Sequence, residues 1–143
     1  LEFRRVLFRS KPIELLEGVE QTLAALHGKY KLVVATKGDL KDQRRKLHYS
    51  GLGHYFHHIE VMTDKQEVDY SDLLKRLEIK PSEFVMIGNS LKSDVLPVLA
   101  IGGYAVHIPF HTTWEHEKIS HKVEHSNFFA LEEITAVLPL FLK

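Results

Sequence analysis

Thr36, Lys65, Asn89 and Asp94 stand where a chain of alternating strands and helices puts its chemistry. Thr36 closes the apolar run "KLVVAT", Lys65 follows the strand-like "HIEVM" in "TDKQ", and Asn89 and Asp94 follow "FVMI" in "GNSLKSDV". In open α/β sheets ligands bind outside the carboxyl ends of the strands, and each of these residues falls at such an end. A hydroxyl with free backbone N–H groups, an ammonium and a carboxylate together suit a phosphoryl group and Mg2+. The hydroxyl and N–H groups hydrogen-bond the non-bridging oxygens, the lysine offsets their charge, and the carboxylate holds the hard cation. Each residue also has an ordinary use. A strand-end threonine bonds its own turn, a lysine between elements is solvated, a first-turn aspartate suits the helix dipole, and Asn89 serves as a turn residue.

The elements that must position these groups are legible in the pattern. Val19, Leu23 and Leu26 recur at helical spacing, with Gly28 as a C-cap. Lys31–Thr36 reads as a buried strand. Asp39 is an N-cap for a helix that Gly51 stops. His58–Met62 is a second strand, and Tyr70–Ile79 a helix with Asp69 as its cap and Pro81 beyond its end. "FVMI" is a third strand, "SDVLPVLAI" a helix that tolerates Pro97 in its first turn, and Tyr104–Ile108 a fourth strand. "HTTWEHEKISHKVEHS" reads as a long loop with one short helix, and Leu131–Leu142 as an apolar helix. Strands alternating with helices predict an α/β fold with a doubly wound parallel sheet and helices on both faces.

Composition removes whole classes of function. A chain of 143 residues, 44% apolar and 27% charged, is large enough to bury a core as one domain. Lys+Arg and Asp+Glu balance at 19 each, so no basic field invites nucleic acid or an anionic membrane. Cysteine is absent, which excludes disulfides, thiolate metal sites and cysteine nucleophiles. No apolar run approaches the roughly 20 residues of a membrane span, and the expected compartment is the cytoplasm. His111, His116, His121 and His125 are spaced by five, five and four. That spacing fits neither one helix face nor a zinc pattern, so they read as solvated. Trp114 reads as a loop anchor.

The first ten residues, "LEFRRVLFRS", match in full an in-frame translation of a common sequencing-library adapter, ctggagttcagacgtgtgctcttccgatct. They are therefore expected to be non-native and are set apart from the fold, residues 11–143 being read as a partial core domain. The native chain is then expected to begin upstream of Lys11.

Taken in order, the motifs resemble those of the haloacid dehalogenase-like (HAD) hydrolase superfamily. "LVVATKGD" resembles the second family motif, a strand ending in Ser/Thr, and "ELLEGVEQTLAALHGKYKL" the helix before it. Lys65, ahead of "YSDLLKRLEI", resembles the third motif's lysine. "MIGNSLKSDV" resembles the fourth motif in its form with four residues between two acidic positions, the first of which is here Asn89. An amide can ligate through its carbonyl but brings no charge. The family's first motif, Asp-x-Asp-x-Thr/Val, occurs nowhere in residues 1–143. It would lie upstream of Lys11, together with any cap inserted after it.

For the intact protein the resemblance implies an upstream Asp that attacks phosphorus to form an aspartyl-phosphate, and a second Asp two residues later as acid and base. It implies Mg2+ held by those acids and Asp94, with Asn89 as a weaker neighbour. Thr36 and the N–H of Lys37 would bind phosphoryl oxygens, and Lys65 would stabilise nucleophile and transferring group. The expected substrate is a small phosphorylated metabolite, and the chain without its nucleophile is expected to be inactive. A 2-haloacid dehalogenase is the rival within the family. A phospho-receiver domain uses Asp, Thr and Lys in a different order, and a non-catalytic binding domain is the remaining alternative. The family's central first strand would be missing, leaving strand edges unpaired, with "RRVLF" a candidate for the vacant slot.

Overall fold

β-Branched residues after Lys31 build the first strand of a computed structural model that describes residues 18–109 and 123–142. Two compact units divide the chain. One takes it up to Val61 and again from Glu133, and the other runs from Met62 to Glu132.

In the first unit, α1 (Val19–His27) buries Val19, Leu23 and Leu26, the stripe its spacing predicts, and Thr22 beside them. β1 (Val33–Lys37) begins two residues later than expected and includes Lys37, with Val34, Ala35 and Thr36 buried in succession. α2 (Leu40–Ser50) starts as predicted: the Asp39 carboxylate accepts the Asp42 N–H at 3.0 Å, satisfying one orphan donor of the first turn. Gly51 ends α2 at φ 74°, a left-handed conformation that glycine adopts without a Cβ penalty. A 3-10 turn at Gly53–Tyr55 leads to β2 (His58–Met62), which is hydrogen-bonded to β1.

The returning tail corrects the expectation of one helix over Leu131–Leu142. It forms a 3-10 turn, Ile134–Val137, and then a short helix, α5 (Leu138–Phe141). Pro139 is the reason: it has no N–H for the Thr135 carbonyl, and its ring would clash there in a continuous α-helix. The tail packs on α1, burying Ile134 and Val137, and the Tyr30 hydroxyl donates to the Phe141 carbonyl at 2.6 Å.

The second unit holds a parallel sheet of three strands in the order β3 (Val85–Gly88), β4 (Tyr104–His107) and β5 (Phe128–Ala130). Gly88 lies opposite His107, and His107 opposite Ala130, so the carboxyl ends of the three strands are level. β5 was not predicted; it is three residues long and follows a polar stretch. α3 (Glu67–Leu77) begins at Glu67 and not at Tyr70. Gln66 is its N-cap, and Asp69 sits three residues inside, where its carboxylate accepts the Gln66 N–H at 3.0 Å in a capping box. Its buried face is Tyr70, Leu73 and Leu74.

The segment after β3 also departs from the expected single helix. A π-turn, Leu91–Val95, precedes α4 (Leu96–Ala100), with Pro97 in the first turn of α4. The core here is Met86, Leu91, Val95, Val98, Leu99, Ala105 and Val106. The α/β class with parallel pairing is as predicted. The strand suggested for "RRVLF", the loop from His111 with Trp114, and His116 and His121 lie outside the described residues. Among the described residues no helix is long and apolar enough to cross a membrane.

Candidate functional site

β3 delivers its chain into a closed turn. The Asp94 N–H donates to the Ser90 carbonyl at 2.8 Å, and the Ser90 hydroxyl accepts the Ser93 N–H at 3.2 Å. The Ser90 N–H returns to Asp94 Oδ2 at 3.1 Å. These reciprocal bonds fold Asp94 back over the end of β3. Gly88 makes the approach possible, because a Cβ there would collide with the Asp94 carboxylate.

On the approach to α3, Lys65 sends its ammonium inward. Its Nζ donates to Asp94 Oδ1 at 2.8 Å, and both side chains are 2% exposed. Burying either charge alone is expensive, and burying both is tolerable when they meet in good geometry with further hydrogen bonds. Asp94 meets that condition, since one carboxylate oxygen takes the ammonium and the other a backbone N–H. The result is a cation and an anion held in fixed positions at a strand end, the kind of preorganised charge that needs no reorganisation to meet a ligand.

Two side chains that the sequence did not single out hold this turn. His107, fully buried at the end of β4, has Nε2 3.1 Å from the Asn89 carbonyl; the carbonyl can only accept, so Nε2 carries the proton. Tyr70, fully buried on α3, donates its hydroxyl to the Ser93 carbonyl at 2.7 Å. A polar residue closing an otherwise apolar strand was the available signal for His107. Tyr70 gave none, since its place on the apolar face of α3 reads as core.

Lys65 and Asp94, the lysine and the carboxylate predicted to serve the site, are thus bonded to each other across 29 positions of sequence. Asn89 contributes its carbonyl to the contact with His107. Thr36 and Lys37 belong to the other unit. Thr36 is 1% exposed, and its hydroxyl donates to the Lys37 carbonyl at 3.1 Å, a bond to its own turn. Gln43 Nε2 reaches the same carbonyl at 3.4 Å. Gly38 follows at φ 114°, a conformation that turns the chain sharply into the cap of α2. His125 is exposed and accepts the Asn127 N–H at 3.0 Å, as a solvated residue would.

A divalent cation needs several hard oxygens. Asp94 is one suitable donor, and Asn89, five positions earlier, carries an amide oxygen. Among the described residues no three His, Cys, Asp or Glu side chains converge. The described residues therefore fit one side of such a site and do not complete it.

Comparison with known proteins gives this arrangement a context. The family described as haloacid dehalogenase-like hydrolase matches residues 1–102. A haloacid dehalogenase-like family hydrolase from Xanthomonas campestris is 34% identical, with a TM-score of 0.77 over 90% of this chain and 52% of its own. An HAD phosphatase from Thermococcus onnurineus is 24% identical, with a TM-score of 0.71 over 90% of this chain and 59% of its own. A 2-haloacid dehalogenase from Pseudomonas syringae is 14% identical, with a TM-score of 0.64 over 90% and 53%. No curated protein matches. The chain thus spans little more than half the length of these structures. With Thr36 one residue inside the end of β1, a lysine after the next strand and an aspartate folded over the end of β3, all within a family match over most of its length, the chain belongs to the haloacid dehalogenase-like hydrolases.

Proposed function

We propose that the intact protein is a cytoplasmic, Mg2+-dependent phosphatase that acts on a small phosphorylated metabolite through an aspartyl-phosphate. The observation that carries this reading is the buried Lys65–Asp94 pair, which supplies a cation for phosphoryl oxygens beside a hard oxygen donor for Mg2+. In this reading Asp94 and Asn89 help hold the metal, whose service is to offset phosphoryl charge. Thr36 and the N–H of Lys37 receive the non-bridging oxygens, and Lys65 stabilises the transferring group. The nucleophile is an Asp outside residues 1–143, because no Asp-x-Asp pair occurs within them.

Two proteins test this together. The full-length gene product is expected to hydrolyse p-nitrophenyl phosphate with Mg2+ and to lose the activity in EDTA. Residues 1–143 are expected to show none. Hydrolysis by the shorter chain refutes the assignment of the nucleophile. Halide release from a 2-haloacid by the full-length protein, without metal and without phosphatase activity, replaces this reading with the dehalogenase one, which the Pseudomonas syringae neighbour keeps in view.

A further inference from the structure

We propose that Tyr70 and His107 are positioning residues that clamp, from both ends, the turn carrying Asp94. The inference rests on the reading of Asp94 and Lys65 as a phosphoryl and metal frame. It adds two residues that touch neither ligand.

The turn between β3 and α4 is an unusual backbone. Its π geometry widens the helix, and such bulges recur at functional sites because they redirect a side chain. Widening also loosens carbonyls from their ordinary partners. In an α-helix the Ser93 carbonyl would receive the N–H of residue 97, but that residue is Pro97 and has none. The Tyr70 hydroxyl takes the carbonyl instead, at 2.7 Å, on the peptide directly before Asp94. Tyr70 is itself fixed: it is fully buried, and its ring packs against Phe84 with centroids 6.2 Å apart.

At the other end the Asn89 carbonyl has just left the sheet. His107 stands opposite Gly88 in the parallel register, and its Nε2 holds that carbonyl at 3.1 Å. The backbone beside it is tied as well, because the Ile108 N–H donates to the Gly88 carbonyl at 3.0 Å. Between the two clamped carbonyls lies Ser90, whose N–H sets Asp94 Oδ2, while Lys65 sets Oδ1. Releasing either carbonyl frees the turn to shift, and the carboxylate shifts with it. An outer residue that orients a metal ligand commonly matters about tenfold to a hundredfold.

The Lys65 ammonium reports on the clamp without any need for catalysis. A buried, paired ammonium exchanges its protons slowly enough to give a 1H–15N signal. In the chain of residues 1–143 this signal is expected to be present. Tyr70→Phe and His107→Leu should each speed its exchange enough to abolish the signal, while His107→Gln, which keeps a donor, retains it. Leu74→Ala, a core change on α3, lowers the melting temperature and leaves the signal in place. In the full-length protein Tyr70→Phe and His107→Leu should lower kcat about tenfold or more with KM within about twofold. An unchanged Lys65 signal in either variant overturns the clamp, as does equal loss in Leu74→Ala. If the clamp variants lose the signal but the full-length wild type hydrolyses no phosphate ester, the clamp stands and the phosphatase reading falls.

Discussion

Replacing Lys65 with methionine isolates the energetics of the central ion pair. Methionine keeps most of the aliphatic stem and removes the charge. At the observed 2.8 Å, and with an effective interior dielectric of about 20, the attraction between Lys65 and Asp94 is about 6 kcal/mol. Desolvation of two charges that are 98% buried offsets much of this, so the pair as a whole adds little. Breaking it is another matter. Lys65→Met leaves a buried carboxylate with one backbone N–H, and the expected cost is about 3–5 kcal/mol. With a urea m-value of about 2 kcal/mol/M, the unfolding midpoint should fall by about 2 M at unchanged m. The double variant Lys65→Met/Asp94→Leu removes both charges and should recover most of that loss, giving a large coupling energy in the cycle. Equilibrium urea unfolding followed by circular dichroism reads all four proteins. A Lys65→Met loss below about 1 kcal/mol, the range of an exposed pair, would refute the buried geometry.

Three further outcomes are expected. Gly88→Ala forces a methyl group into the Asp94 carboxylate and should cost about 1–3 kcal/mol by the same urea assay, with loss of the slow Lys65 ammonium signal. Asp39→Ala removes the cap of α2 and should cost about 1 kcal/mol, which Asp39→Ser largely restores. Tyr55 donates to Glu20 at 3.0 Å, and this bond to a carboxylate raises the ionisation of its hydroxyl above the ordinary tyrosine range. A raised folded value means that the contribution is present below the unfolded tyrosine value and disappears as pH rises through the folded one. 13C NMR of the tyrosine ring carbons should show Glu20→Gln lowering that titration point; no movement would deny the bond.

What the sequence revealed was whatever depended on neighbours in the chain. Asp39 and Gly51 delimit α2 because capping and left-handed turns are local, and Leu23 and Leu26 face a core because helical spacing says so. Pro97 sits in the first turn of α4 as its position in the chain implies, whereas Pro139 denies the Thr135 carbonyl its partner, and the tail breaks there. β5 was out of reach, since three residues after a polar stretch carry no period, and only β4 makes them a strand. At the candidate site, the order of Lys65 and Asp94 in the chain singled out both residues. Nothing local could say that they bond each other from 29 positions apart, or that Asn89 is held by its carbonyl.

The tail that packs on α1 gives synthesis an inverted schedule. Domains ordinarily fold in the order in which they are made. Here the core of the first unit includes Ile134 and Val137, so it cannot close until those residues have been translated. The sheet of β3, β4 and β5 is complete by Ala130. A growing chain therefore carries α1 with its apolar stripe waiting for residues not yet made. A nascent chain that has left the ribosome as far as Ala130 but not Ile134 carries one finished unit and one unfinished, and that is the interval in which a chaperone would find the most to bind.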